Sequence, residues 1–205
     1  MQESELYILV SDFVEKKYGC FFVTVEAGKQ GIGSVDVFGV RYTNREKSEI
    51  ETIGVEVKTN MVSPCADFGQ AKGYSVFCHK TYFASIDEFN RDHLEIARHL
   101  GIGLVQIKRT DSNLVCDEIL EAPASKPVKK LLDYVLESKS IYQCETCKVF
   151  RSYKGDFTEV TSLNNISKWT ISQIKNGKAL RIKYKDGKKE FYCNEHAKIK
   201  LGINE

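Results

Sequence analysis

The sequence predicts a mixed α/β fold, a sheet with helices on its faces, followed by a smaller C-terminal unit. Three observations predict it. Apolar residues recur at helical spacing in some segments and at alternate positions in others, so helices and strands alternate along the chain. Two valine-rich runs, GSVDVFGV at 33–40 and GVEVKTN at 54–60, set charged residues among apolar neighbours, as half-buried strands do. The charge balance also changes along the chain. Residues 139–205 hold 14 Lys/Arg and 7 Asp/Glu, a balance of +7, which leaves −5 on residues 1–138. The expected domains are therefore 1–138 and 139–205, with the linker within 123–143.

Element by element, residues 4–18 place Leu6, Leu9, Val10, Phe13 and Val14 on one helical stripe, with Gly19 as a stop. CFFVTVEA (20–27) is a strand by its aromatic and β-branched content. The glycine-rich GKQGIG (28–33) precedes a strand rather than a helix, so it reads as a tight turn and not a phosphate loop. Strands at 34–42 and 52–59 flank the polar hairpin loop 43–49. Ser63-Pro64 opens a helix predicted to run to about residue 79. A strand at 81–86, a helix at 89–100 closed by Gly101, strands at 103–108 and 113–122, and a helix at 127–138 complete the body. The order opens α-β-β-β-α-β-α-β and closes with one more strand and a helix, as in a mixed sheet.

Composition narrows the functional classes. At 42% hydrophobic and 28% charged residues the chain is ordinary globular protein. No apolar run reaches the roughly 20 residues that span a bilayer, so no membrane role is expected. The start MQESELY lacks the basic end and apolar stretch of a secretory signal, which leads to the expectation of a cytoplasmic protein. Seven cysteines at low density argue against a disulfide framework. An acidic body with a basic tail fits a polyanion-binding attachment.

The charged residues in the strands carry the chemistry. Side chains alternate between the faces of a strand, so Glu56 and Lys58 project together, away from Val55 and Val57. If the strands at 34–42 and 52–59 pair as a hairpin, Asp36 can join them at one face. Two carboxylates alone there repel each other. A divalent cation and a neighbouring ammonium relieve that repulsion. Oxygen ligands of this kind suit Mg²⁺ or Mn²⁺, which can activate water and neutralise charge building on a phosphate. Read as structure alone, Glu56 and Lys58 are a solvent-facing strand pair and Asp36 a hairpin acid.

Asp36, the run Glu56-Val57-Lys58 and the helical Gln70-Ala-Lys-Gly-Tyr74 resemble the PD-(D/E)XK nuclease superfamily, which includes restriction endonucleases, Holliday-junction resolvases and phage-type exonucleases. The element order over residues 4–86 is similar to that superfamily's restriction-endonuclease-like core. The resemblance implies a DNA nuclease in which Asp36, Glu56 and the Val57 carbonyl hold Mg²⁺ and Lys58 serves the attacking water. Gln70 and Tyr74 would support the site or touch the phosphate backbone. Val35 departs from the pattern, standing where the name-giving proline would fall. Many members add an acid from the first helix; Glu5 and Glu15 both qualify by position, and Glu26, at the end of the first strand, is a further candidate. Cutting two strands calls for two such sites, hence the expectation of a homodimer. RNA stays open as a substrate beside DNA. A non-cleaving nucleic-acid adaptor and a protein-interaction module are the alternatives.

In the tail, Cys144-Glu-Thr-Cys147 and Cys193-Asn-Glu-His196 are two short ligand pairs separated by 45 residues. Three thiolates and one imidazole make a normal structural Zn²⁺ site. The second pair follows a hairpin, signalled by Asp186-Gly187 between RIKYK and KKEFYC, and opens a short helix. This arrangement resembles treble-clef fingers. Arg181, Lys183 and Lys185 alternate along one strand, with Lys188 and Lys189 across the turn, a basic row suited to phosphate contacts. Tyr153, Tyr184 and Trp169 are aromatic candidates for base stacking, with core packing the better use of Trp169.

Overall fold

The computed structural model describes residues 2–29, 33–111, 113–163 and 166–203. The chain divides into two compact units, one made of Met1–Asn44 and Glu49–Val135, the other of Arg45–Ser48 and Leu136–Glu205. The expected turn at 28–33 falls partly on residues 30–32, outside the described residues. Among the described residues no helix is long and apolar enough to cross a membrane.

The first unit is a mixed six-stranded sheet with strands in the order in which the chain makes them. Helix α1 (Glu3–Tyr18) leads into β1 (Phe22–Lys29), β2 (Gly33–Asn44) and β3 (Glu49–Lys58). Helix α2 (Pro64–Gly73) and a 3₁₀ turn (Tyr74–Val76) follow, then β4 (Lys80–Ser85), α3 (Arg91–Leu100), β5 (Gly103–Arg109), β6 (Leu114–Leu120) and α4 (Lys129–Ser138), whose residues from Leu136 on are counted with the second unit. Strands β1 to β3 form an antiparallel meander, β3, β4 and β5 run parallel, and β6 returns antiparallel to β5. The two parallel steps each carry a helix, as crossover connections require.

Each face of the sheet has its own helical cover. Leu6, Val10 and Val14 of α1, one stripe at helical spacing, are fully buried against Val37, Val55, Val57, Tyr82, Ala84, Val105 and Ile107. On the other face Phe68 and Ala71 of α2 and Ala97 of α3 meet Phe83, Ile102 and Leu104. Burying a side chain such as Leu6 or Phe68 contributes about 1.5–3 kcal/mol, which makes these two clusters the main support of the unit. Gly19 and Gly101 close α1 and α3 in the left-handed conformation, at φ 65° and 68°, where a side chain would be strained.

Two expected boundaries are corrected. The helix predicted to continue to about residue 79 ends at Gly73, and Tyr74 begins a 3₁₀ turn instead. The helix placed at 127–138 starts at Lys129. Ser63 does occupy the N-cap of α2, with Pro64 in the first turn, but its side chain makes no cap bond. Asp67 Oδ2 holds that end of the helix, accepting from the amides of Val62 and Ser63 at 3.0 Å each.

The second unit has a two-stranded ribbon, β7 (Ile141–Gln143) with β8 (Phe150–Ser152), and a three-stranded sheet ordered β11-β10-β9. Strand β9 (Phe157–Val160) runs parallel to β10 (Ala179–Lys183), which pairs antiparallel with β11 (Lys189–Tyr192). Helices α5 (Lys168–Lys175) and α6 (Asn194–Lys200) complete it. The unit has small cores of its own, one around Ile174, Leu180, Ile182, Tyr192 and Ala197 and another around Tyr142, Ala179 and Phe191. The strands leading into Asp186-Gly187 end at Lys183 and Lys189, so the turn is longer than two residues; Tyr184 N still donates to Lys188 O at 2.8 Å.

Candidate functional sites

The register of the central hairpin creates the first site. Antiparallel pairing of β2 with β3 runs from Asn44↔Glu49 to Val37↔Val55 and stops there. The next pair in that register is Asp36 with Glu56. Beyond it β2 stays paired with β1 through Ala27↔Val35, Gly28↔Ser34 and Lys29↔Gly33, while β3 stays paired with β4 through Glu56↔Phe83, Val57↔Ala84 and Lys58↔Ser85. The sheet therefore forks between β2 and β3, and the two acids stand at the fork. The Val57 amide takes a side chain as its acceptor there: it donates to Asp36 Oδ2 at 2.8 Å.

Each acid is held by donors from different elements. Asp36 Oδ1 accepts from the Tyr7 hydroxyl of α1 at 2.9 Å. Glu56 is wholly shielded from solvent, at 0% exposure, and its Oε2 accepts from the Tyr74 hydroxyl at 2.5 Å. Gln70 Nε2 in turn donates to Tyr74 Oη at 3.2 Å, so the pair spaced one turn apart meets although the helix ends between them. The Tyr74 hydroxyl also lies 2.9 Å from the Ser34 carbonyl of β2. Lys58 Nζ lies 2.8 Å from Glu56 Oε1 and 3.6 Å from Glu3 Oε2. The Lys58 contact is close enough for an ion pair, yet Oε1 receives no well-directed hydrogen bond among the described residues.

Electrostatics follow from this burial. Removal from water pushes both carboxyl pKa values up. The Val57 amide, Tyr7 and Lys58 pull Asp36 back in part, and Lys58 and Tyr74 do the same for Glu56. Burial opposes the charge of Lys58, but the close contact with the Glu56 carboxylate, with the charges of Glu3 and Asp36, carries its pKa above the ordinary lysine value. Three carboxylates thus face one ammonium. A buried, incompletely satisfied oxygen among hard oxygen donors with excess negative charge is a fit for a small divalent cation.

The first-helix acid that reaches this site is Glu3, which the sequence reading missed. Glu5 caps its own helix, accepting from Gln2 N at 3.0 Å. The signal was present in the pattern: Glu3 and Tyr7 are four residues apart and flank the buried Leu6, so they share a face of α1.

The second site lies in the second unit. The ligand atoms of Cys144, Cys147, Cys193 and His196 all lie within 4.8 Å of one another, a cluster that could hold a metal such as zinc. Cys193 Sγ is 3.0 Å and Cys144 Sγ 3.7 Å from His196 Nδ1. Cys144 and Cys147 sit in the turn between β7 and β8, while Cys193 caps α6 and places His196 in its first turn. Backbone amides of Cys193, Cys147 and Thr146 hold the Cys144 thiol below its ordinary pKa against the effect of burial.

The basic row is less uniform than its spacing implies. Arg181 lies 2.5 Å from Glu159, donates to Tyr142 Oη at 2.7 Å and stacks 4.3 Å from the Phe157 ring centre. Lys188 pairs with Glu190 at 2.8 Å, which with Tyr192 and Tyr184 lowers the Glu190 pKa to about 2. Lys189 pairs with Glu137 at 2.5 Å. Lys183 and Lys185 are exposed. Trp169 is 64% exposed on α5, which corrects the expectation that it packs in a core. Tyr153 is the packed aromatic, its ring centre 4.5 Å from that of Phe191.

No family model and no curated protein matches the chain. Among solved structures, a protein of unknown function from Silicibacter pomeroyi is similar over 67% of this chain and 83% of its own, at 22% identity and a TM-score of 0.45.

Proposed function

We propose that the chain is a metal-dependent DNA nuclease of the PD-(D/E)XK kind, an endonuclease of restriction or resolvase and repair type on a restriction-endonuclease-like core. The observation that carries this reading is the fork at which β2 and β3 part, with Asp36 and the buried Glu56 on its two arms and Lys58 2.8 Å from Glu56. Asp36 and Glu56 would hold Mg²⁺ or Mn²⁺ together with the Val57 carbonyl. When bound, such an ion makes water more acidic and opposes charge building on a phosphate.

The remaining roles belong to the chain. Lys58, kept charged by its acidic neighbours, favours holding a water and a phosphoryl oxygen over taking a proton. Tyr74, steadied by Gln70, fixes Glu56. Glu3, 3.6 Å from the same ammonium, adds a second negative charge beside it. In the second unit the cysteines and His196 would hold Zn²⁺ as a structural ion, since the protein supplies all four ligands. Lys183 and Lys185 would meet nucleic-acid phosphates.

The test incubates the zinc-loaded chain with linear, circular and branched DNA, with Mg²⁺, Mn²⁺ or chelator, beside Asp36→Ala and Lys58→Ala. Cutting that needs the cation and both residues is expected. DNA that is bound equally with and without cation, and left intact, would replace this reading with that of an adaptor. Absence of DNA affinity at low salt would replace it with a protein-interaction module.

A further inference from the structure

We propose that Tyr7 is a positioning residue whose phenol holds the Asp36 carboxylate in the orientation that takes a divalent cation. This rests on reading Asp36 and Glu56 as a cation site.

The geometry is specific. Asp36 has one donor on each oxygen, Tyr7 from α1 at 2.9 Å on Oδ1 and the Val57 amide from β3 at 2.8 Å on Oδ2. Two donors from separate elements fix both the position and the rotation of the carboxylate plane. An ionised carboxylate offers about four lone-pair sites, so two donors leave lone pairs for a cation. The Tyr7 ring packs against the α1-side core while its hydroxyl goes to the acid. Tyr74 does the same for Glu56 from the 3₁₀ turn after α2, on the side of the sheet opposite α1. Each acid of the fork therefore has one phenol, and the two phenols come from opposite layers. Burial, followed by the bond to Asp36, pushes the Tyr7 pKa well above the usual tyrosine value, so the phenol stays a donor.

The titratable groups around Asp36 are Tyr7 and Glu3 of α1, Glu56 and Lys58 of β3, and Tyr74. Removing the phenol takes away the donor on Oδ1 and leaves the carboxylate held by the Val57 amide alone.

The experiment measures Mn²⁺ binding to the zinc-loaded full chain by electron paramagnetic resonance, at neutral pH, for the wild type, Asp36→Asn and Tyr7→Phe. Tyr7→Phe keeps the ring. Its affinity for the Asp36-dependent Mn²⁺ should fall about 10-fold or more, as loss of partners behind metal ligands does. The spectrum of the bound ion should broaden, since a carboxylate free to turn gives it a less uniform set of ligands. O-Methyltyrosine at position 7, which keeps the ring and also lacks the donor, should do the same, which keeps the test decisive if Tyr7→Phe does not fold. Unchanged affinity and spectrum in the Phe or O-methyltyrosine protein would overturn the role of Tyr7 and leave the cation site standing. A wild type with no Asp36-dependent Mn²⁺ would overturn the cation site, and the role of Tyr7 with it.

Discussion

Lys58 Nζ lies 2.8 Å from Oε1 of Glu56, a carboxylate with no exposure to solvent. The ion pair relieves only part of the strain of burying that charge, because the Glu56 pKa stays above its ordinary value with burial as the leading cause. A carboxyl whose folded pKa exceeds its unfolded one is opposed by the fold once ionised, and the loss of stability appears as pH rises through the folded value. Glu56→Gln should therefore melt at a higher temperature than the wild type at neutral pH without divalent cation. The gap should close below the ordinary carboxylate range. Calorimetry at several pH values checks this, and a variant that melts lower at neutral pH would refute it.

Mg²⁺ should raise the melting temperature of the wild type and not that of Glu56→Gln, because a ligand that binds only the folded state stabilises it. Equal shifts would place the cation elsewhere.

The two kinds of basic residue in the second unit should separate by assay. Lys183→Ala with Lys185→Ala should weaken DNA binding and lower the salt slope by about two, one for each phosphate contact. Arg181→Ala should act on stability, at about 1–3 kcal/mol, since it strips a partner from Glu159 and a planar cation from Phe157. Salt titrations and thermal melts of the three proteins distinguish these effects. Loss of salt dependence through Arg181 alone would reverse the assignment.

Zinc analysis of the purified chain should give one ion per molecule, lost in Cys193→Ala. Chelation should remove amide protection from β7 to α6 and leave the six-stranded sheet protected, because the cores of the second unit are small. Protection unchanged after chelation would show that those cores suffice alone.

Leu6→Ala should destabilise the first unit by about 2–5 kcal/mol, as deletion of a fully buried leucine does. It should also weaken Mn²⁺ binding, since Leu6 anchors the turn that carries Glu3 and Tyr7. Normal Mn²⁺ affinity in a destabilised chain would separate the anchor from the site.

Much of this was legible in the sequence where one period dominates. Val37, Val55 and Val57 alternate with the acids, and the stripe Leu6, Val10, Val14 marks the buried side of α1, so strands and helix follow from local spacing. The cysteine pairs were legible for the same reason, since two short spacers prefigure one ligand cluster. What spacing could not give is contact between distant segments. Glu3 and Tyr7 meet β2 and β3 only through packing of α1, and the parting of β2 from β3 at Asp36 belongs to the assembled sheet, in which each strand keeps its other neighbour. Arg181 reads as one member of a basic row until Glu159, on the neighbouring β9, comes beside it. Trp169 was misread because an aromatic residue in a small unit is ordinarily core, whereas here Thr170 and Ile174 supply the inward face of α5.

The central claim is that Asp36 and Glu56 share one divalent cation, and anomalous diffraction from crystals grown in Mn²⁺ tests it most directly. The account predicts a peak about 2.1 Å from carboxylate oxygens of both residues. A peak remote from both, or none in crystals saturated with Mn²⁺, would contradict it.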